Sequence, residues 1–251
     1  MRPSISVITP VYNGASTIAD CLKSIGSQTQ ACEHIVVDGA SNDNTLEVVK
    51  KFRHVARVIS EPDKGIYDAM NKGIADATGD IVGVLNADDF YIDDQVLAKV
   101  ADAFDAHPVD AVFADMVYVR PQNLDKIIRY YSGANFSLGK FAYGWMPPHP
   151  TFFVKRECYL KYGYFKVDYR IAADFELLAR FMVKHRISYY YLPRVIIKMR
   201  TGGVSTRNFN SNLILNREVL RACKENGVAT NMLKIYSKYL IKCMQLVSRP
   251  A

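Results

Sequence analysis

The first half of the chain repeats one pattern: a short β-branched run, a polar turn, then an amphipathic stretch. Ile5-Ser6-Val7-Ile8-Thr9 precedes Ser16 to Ser24, and His34-Ile35-Val36-Val37-Asp38 precedes Thr45 to Phe52. Val58-Ile59-Ser60 then precedes Ile66 to Ala77, and Ile81-Val82-Gly83-Val84-Leu85 precedes Gln95 to Phe104. Strands alternating with helices at this spacing predict βαβ units around a mostly parallel sheet, an α/β fold of Rossmann-like type with flanking helices. Ligands bind beyond the carboxyl ends of strands in such sheets. Each run here gives way to a polar turn: Pro10-Val11-Tyr12-Asn13-Gly14, Asp38-Gly39-Ala40-Ser41, Glu61-Pro62-Asp63-Lys64-Gly65 and Asn86-Ala87-Asp88-Asp89. One edge of the sheet is thus expected to carry an aromatic, several carboxylates and, with Lys72, two lysines.

The second half is less regular. Asp110 to Val119, Lys126 to Tyr131 and Thr151 to Val154 read as strands, and Phe175 to Lys184 has helical spacing. Tyr189 to Leu192 and Val195 to Ile197 read as a hairpin, and two helices, Asn210 to Asn226 and Asn231 to Val247, close the chain. With 251 residues, 49% of them hydrophobic, there is enough apolar material for a real core, which excludes a disordered or fibrous chain. No linker composition or repeat divides it. The expectation is one compact domain over residues 1–207, regular in its first half (1–106) and less so in its second (107–207), and then a basic helical tail (208–251). The five cysteines are scattered without a C-x-x-C pair, which argues against a zinc site or disulfide framework and for a reducing compartment. Neither a leader nor a membrane span is evident, so a cytoplasmic protein is expected.

Charge divides the chain unevenly. The net +7 is the sum of −5 over residues 1–179 (18 basic, 23 acidic) and +12 over residues 180–251 (14 basic, 2 acidic). Lys234, Lys238 and Lys242 recur every four positions, while Leu233, Tyr236, Leu240, Met244 and Val247 fall at helical apolar spacing. Such a helix either lies on an anionic leaflet, peripheral to the inner face of the membrane, or packs on the domain with its lysines in water.

The familiar phosphate loops, G-x-x-x-x-G-K-[ST] and G-x-G-x-x-G, are missing, as are G-x-S-x-G and H-E-x-x-H. Paired carboxylates after a strand offer another way to hold phosphate, through Mg²⁺ or Mn²⁺ that takes hard oxygen ligands and completes its shell with water and phosphate. Asp88 and Asp89 are the candidates; the same pair could instead cap the next helix.

Taken together, Pro10 to Gly14, Val37 to Asp43, Asp63 to Gly73, Ala77-Thr78-Gly79-Asp80 and Leu85 to Asp89 closely resemble, in that order, the glycosyltransferase family 2 pattern, which is built on the GT-A fold. His149 to Val154 and Ala172 to Leu178 resemble its acceptor-side segments, so the likeness covers about residues 3 to 200. It implies an inverting, metal-dependent transfer of a sugar from a nucleotide-sugar, with UDP the expected nucleotide, to a saccharide acceptor, expected to be lipid-linked, in bacterial surface polysaccharide assembly. Thr9, Pro10, Tyr12, Asp38, Lys64, Lys72 and Asp88 would line the donor. Tyr12 would stack on the base, Asp38 would accept its N–H, and Asp89 with Asp88 would ligate the cation. Asp174 would be the general base, although family members usually carry Glu-Asp where this chain has Ala173-Asp174. His149 and Trp145 would face the acceptor. Each has a structural alternative: Tyr12 packing on its own turn, Asp38 in an Asx-turn, Lys64 and Lys72 simply solvated, Asp174 as a helix N-cap, His149 in a proline turn, Trp145 in the core. A sugar-phosphate nucleotidyltransferase is disfavoured because no Gly-rich basic loop comes after the first strand. A non-catalytic membrane or nucleic-acid binder is disfavoured because donor-edge carboxylates repel phosphate unless a metal is present; no nucleic-acid partner is expected.

Overall fold

Four parallel strands, β1 (Ile5–Val11), β2 (Glu33–Asp38), β3 (Val55–Ser60) and β4 (Ile81–Val84), lie in the order β3-β2-β1-β4. The helices between them are α1 (Ile18–Gly26), α2 (Thr45–Val49) and α3 (Ile66–Asp76). These come from a computed structural model that describes residues 2–202 and 209–237. Both faces of the central strands are covered, so their runs are continuously apolar. Ile8, Ile35 and Val37 pack with Met70 and Ile74 of α3 on one face, while Ile5 and Val7 point to the other, against Val96, Leu97 and Val100 of α4 (Val96–Ala106). α3 sits very close to the sheet: a Cβ on Gly73 would fall 2.3 Å from the Ile8 side chain.

Beyond β4 the sheet changes direction. β8 (Phe153–Lys155) runs antiparallel to β4 and to β6 (Ala111–Arg120), with Gly83 opposite Phe153 and Phe153 opposite Val112. β6 in turn pairs with β7 (Asn123–Tyr131) and with β9 (Tyr189–Arg200), and β9 carries the two-residue β5 (Phe90–Tyr91) on its far side. This corrects the expected hairpin. Tyr189 to Ile197 is a single strand parallel to β6, in which Pro193-Arg194 bulges out between the pairs Leu192–Ala114 and Val195–Asp115. The expected helix over 175–184 is α6 (Ala173–Ala179) closing in a π-turn, Arg180–Lys184, after the short α5 (Arg156–Tyr162).

The helix α7 (Phe209–Glu225) packs on α6, with Val219, Ala222 and Cys223 in the same core as Phe175 and Leu178. A further helical turn over 232–237 buries Ile235, while Leu233 is 83% exposed. The rest of the expected last helix, including Lys238, Leu240, Lys242, Met244 and Val247, lies outside the described residues. Among the described residues no helix is long and apolar enough to cross a membrane.

Candidate active site

The turns after β1 and β2 close on each other. Asn13 and Ala40 both take left-handed backbone conformations (φ 50° and 60°), which a short Asn tolerates and an alanine adopts only when its surroundings impose it. The Asn13 N–H donates to Ser41 Oγ at 2.8 Å and the Asn42 N–H to Asn13 Oδ1 at 3.0 Å. Asp38, wholly buried, accepts from the Ser41 N–H (3.1 Å) and Ser60 Oγ (2.7 Å) through one oxygen; its other oxygen, Oδ1, is buried without a partner. Such an acceptor costs folding free energy on the order of 1–3 kcal/mol. Gly39 lets Asp63 and Tyr12 close in on this turn: a Cβ there would meet Asp63 Oδ2 at 2.4 Å and the Tyr12 ring at 3.4 Å. Tyr12 is 63% exposed, so its ring is free to cover a planar group.

Other expected donor residues are placed differently. The Thr9 hydroxyl is wholly buried and hydrogen-bonded with His34 Nε2 at 3.0 Å, beneath the sheet edge and not in the cleft. It shares the face of β1 that packs inward, and Pro10 is buried as well. The Lys72 ammonium donates to Glu61 and to the Pro62 carbonyl, both at 2.8 Å, and its hydrogen bond to Glu61 above all raises its pKa. Lys64 is exposed at the start of α3, where its N–H is accepted by Asp68 at 3.0 Å.

The turn after β4 holds the carboxylate pair. Asp89 is wholly buried; its Oδ1 and the neighbouring Asn86 Oδ1 are both buried acceptors without partners. Burial first, then the adjacent Asp88 carboxylate, push the Asp89 carboxyl well above the ordinary value of 3.8. A divalent cation would satisfy both the orphaned oxygen and the uncompensated charge, so the residues present fit one. Among the described residues no group of three or more acidic, His or Cys side chains converges, so such an ion would complete its shell with water and phosphate oxygens.

A residue not singled out from the sequence fixes this turn. Arg200, at the end of β9, donates to the Asp88 carbonyl at 2.6 Å, pairs with Asp20 of α1, and lies with its guanidinium 5.1 Å from the Phe90 ring centre. Its planar fork serves all three contacts, a geometry that lysine would not reproduce.

Asp174 sits in the first turn of α6, half-buried. Ala172 holds the N-cap position, so Asp174 is not the cap; its Oδ1 accepts the N–H of Phe175 at 2.7 Å. Around it stand Tyr67, Tyr131 and His149, each close enough to exchange electrostatic influence with its carboxylate. Burial raises the Asp174 pKa and the nearby His149 pulls it part of the way back. His149 begins a short 3₁₀ turn and meets Phe165 edge-on at 5.7 Å; Trp145 meets Tyr131 edge-on at 6.3 Å. Tyr118 feels Asp89 and Tyr131 feels Asp174, and Arg129 caps both rings at 5.2 and 5.8 Å.

A family model described as "Glycosyl transferase family 2" matches residues 6–161. A "PGL/p-HBAD biosynthesis glycosyltransferase" of Mycobacterium bovis is 31% identical over 226 residues, covering 87% of this chain and 83% of the relative. Among solved structures, Staphylococcus aureus TarS 1-349 in complex with UDP-GlcNAc superposes with a TM-score of 0.67 at 18% identity, over 87% of this chain. The chain spans 66% of that structure. The mannosyltransferase PcManGT of Pyrobaculum calidifontis, in complex with GDP-Man and Mn²⁺, gives 0.66 at 20% identity, covering 100% of this chain and 77% of its own. Both structural likenesses establish the GT-A architecture. With the family model spanning more than half the chain and a relative that aligns along most of both lengths, the protein belongs to glycosyl transferase family 2 and is a glycosyltransferase.

Proposed function

We propose that the protein transfers a sugar from a UDP-sugar to a saccharide hydroxyl, with inversion at the anomeric carbon, in the assembly of a bacterial surface glycolipid or polysaccharide. The observation that carries this reading is the pair of buried, unpartnered carboxylate oxygens, Asp38 Oδ1 and Asp89 Oδ1, on strand ends that flank β1. The first would accept the N–H of a uracil whose face Tyr12 would cover; the second suits a cation on the diphosphate. The names of the relatives agree with it: one acts in PGL/p-HBAD biosynthesis, and one neighbour was solved with UDP-GlcNAc.

In this reading Asp89 and Asp88 would hold Mn²⁺ or Mg²⁺, which would supply positive charge to offset that of the diphosphate leaving group. Asp174 accepts the proton of the acceptor hydroxyl while its oxygen bonds to the anomeric carbon and the sugar–phosphate bond breaks, its electron pair leaving with UDP. Tyr131, Trp145 and His149 wall the acceptor chamber. Residues 1–106 serve the donor and 107–207 the acceptor.

A panel of UDP-, GDP- and dTDP-sugars with Mn²⁺ tests the donor assignment. Release of nucleotide is expected from a UDP-sugar, and Asp38→Ala should weaken UDP affinity by about 10–100-fold, the worth of a charged hydrogen bond. Preference for a GDP-sugar, or unchanged UDP affinity in the variant, would reject it.

The acceptor is lipid-linked at the inner face of the membrane in this proposal, with the segment after Thr230 touching the leaflet. Leu233 and Tyr236 are exposed there beside Lys234, which suits an anionic interface. A chain shortened after Thr230 should lose co-sedimentation with phosphatidylglycerol vesicles; equal sedimentation would leave the helix as packing alone.

A further inference from the structure

We propose that α7 clasps the segment leading to Asp174 and that Glu218 is the positioning residue for this base. The proposal rests on the assignment of Asp174 as the base. Residues 163–172, between α5 and α6, have no regular structure, so their N–H groups have no ladder to join. Glu218 supplies the acceptors: its Oε1 takes the N–H of Arg170 at 2.7 Å, and its Oε2 takes those of Ile171 at 2.9 Å and Ala172 at 2.8 Å. Three consecutive donors on one carboxylate fix both the height and the tilt of the backbone, and charge-assisted bonds are about twice as strong as neutral ones. Ala172 is the N-cap of α6, so the last of the three lies two residues from Asp174.

The same face of α7 holds the rest of the segment, since positions 218, 221 and 225 share one side of a helix. Arg221 pairs with Asp168 and lies 4.3 Å from the Tyr169 ring centre. Glu225 accepts from Lys166 at 2.7 Å and Tyr169 at 3.0 Å. Burial alone would raise the Glu225 pKa, but the bonds from Lys166, Arg221 and Tyr169 outweigh it and hold the carboxyl at about 2, so this end of the clasp stays charged at neutral pH. From the opposite side Tyr67 of α3 donates to the Ile171 carbonyl at 2.5 Å. The segment is thus gripped between the helix that comes after the donor loops and a helix beyond the region matched by the family model.

The test uses the full chain, with Mn²⁺ and UDP-N-acetylglucosamine, UDP-glucose and UDP-galactose, reading UDP release to water. Glu218→Ala should lower kcat by about 10²-fold, the scale of a misplaced reacting group, with the donor KM unchanged. Glu218→Gln, which keeps one acceptor oxygen and folds if the alanine variant does not, should fall between. On an Asp174→Asn background Glu218→Ala should cost nothing more, because the two act through one group. Wild-type kcat in both Glu218 variants, a loss that adds to that of Asp174→Asn, or a KM that rises in step with the loss would overturn the clasp while leaving the base assigned. Wild-type turnover in Asp174→Asn alone would instead remove the base, and with it this role for Glu218.

Discussion

Asp174→Asn is expected to bind UDP as the parent does while losing 10²–10⁴-fold in the rate of sugar transfer, roughly the worth of a positioned general base. The variant keeps the shape of the side chain and an oxygen to accept the Phe175 N–H, so α6 should begin as before. It loses the ability to take a proton. The wild-type pH profile carries a second signature of the same group. Burial raises the Asp174 pKa above 3.8 and His149 offsets only part of the rise. The base is therefore protonated, and inactive, at pH values where an ordinary aspartate would still be ionised. Transfer should fall as pH drops through a limb displaced upward from the usual carboxylate range. Calorimetric UDP titration and initial rates across a pH series measure both effects. Undiminished transfer by Asp174→Asn would end the assignment.

Asp89→Asn should separate stability from activity. A buried carboxylate with an unpartnered oxygen, beside a second carboxylate, is costly to ionise in the metal-free fold. Replacing it with a neutral amide removes that cost, so the melting temperature without metal should rise by about 2–4 °C, the shift that 1 kcal/mol produces in a chain of this size. Activity should move the other way, by about 10²–10³-fold, as expected when an electrostatic partner of developing charge is removed. The wild type should also gain more thermal stability from added Mn²⁺ than the variant does, because an ion bound only by the folded state stabilises it. A variant that melts lower without metal and is stabilised equally by Mn²⁺ would show that Asp89 is a structural capping residue.

β1, β2 and β4 were legible because each is buried on both faces and bounded by polar turns, and the more exposed edge strand β3 because its short apolar run also ends in a polar turn. β9 was not, since Pro193 reads as a turn between two short runs and only the pairing with β6 turns it into a bulge. The carboxylates at the ends of β2 and β4 were visible as motifs. Thr9, expected at the donor, has its side chain buried against His34 because a residue inside β1 alternates into the core, whereas the turn beyond the strand is exposed at Tyr12. Arg200 and Glu218 carried no local signal at all: their partners are 112 and 46–48 residues away in sequence, and a lone Arg or Glu in an apolar run reads as surface. Residues that hold a site together through the backbone of another segment leave no spacing to recognise.

The antiparallel strand between the two halves of the sheet also sets an order of assembly. The strands up to β4 all lie before residue 85, with β1 pairing to β2 and β4 and β2 to β3, so this half of the sheet can form while the chain is still being synthesised. The outer edge of Ile81–Val84, however, is covered only by Phe153–Lys155, some seventy residues later, as the pairing of Gly83 with Phe153 records. Until that short strand arrives, the nascent chain presents an apolar strand edge of the kind that pairs with other chains. Slow synthesis between β4 and β8 would lengthen that exposure, and charged substitutions on the flanks of the edge, away from the donor turns, are the place to reduce it.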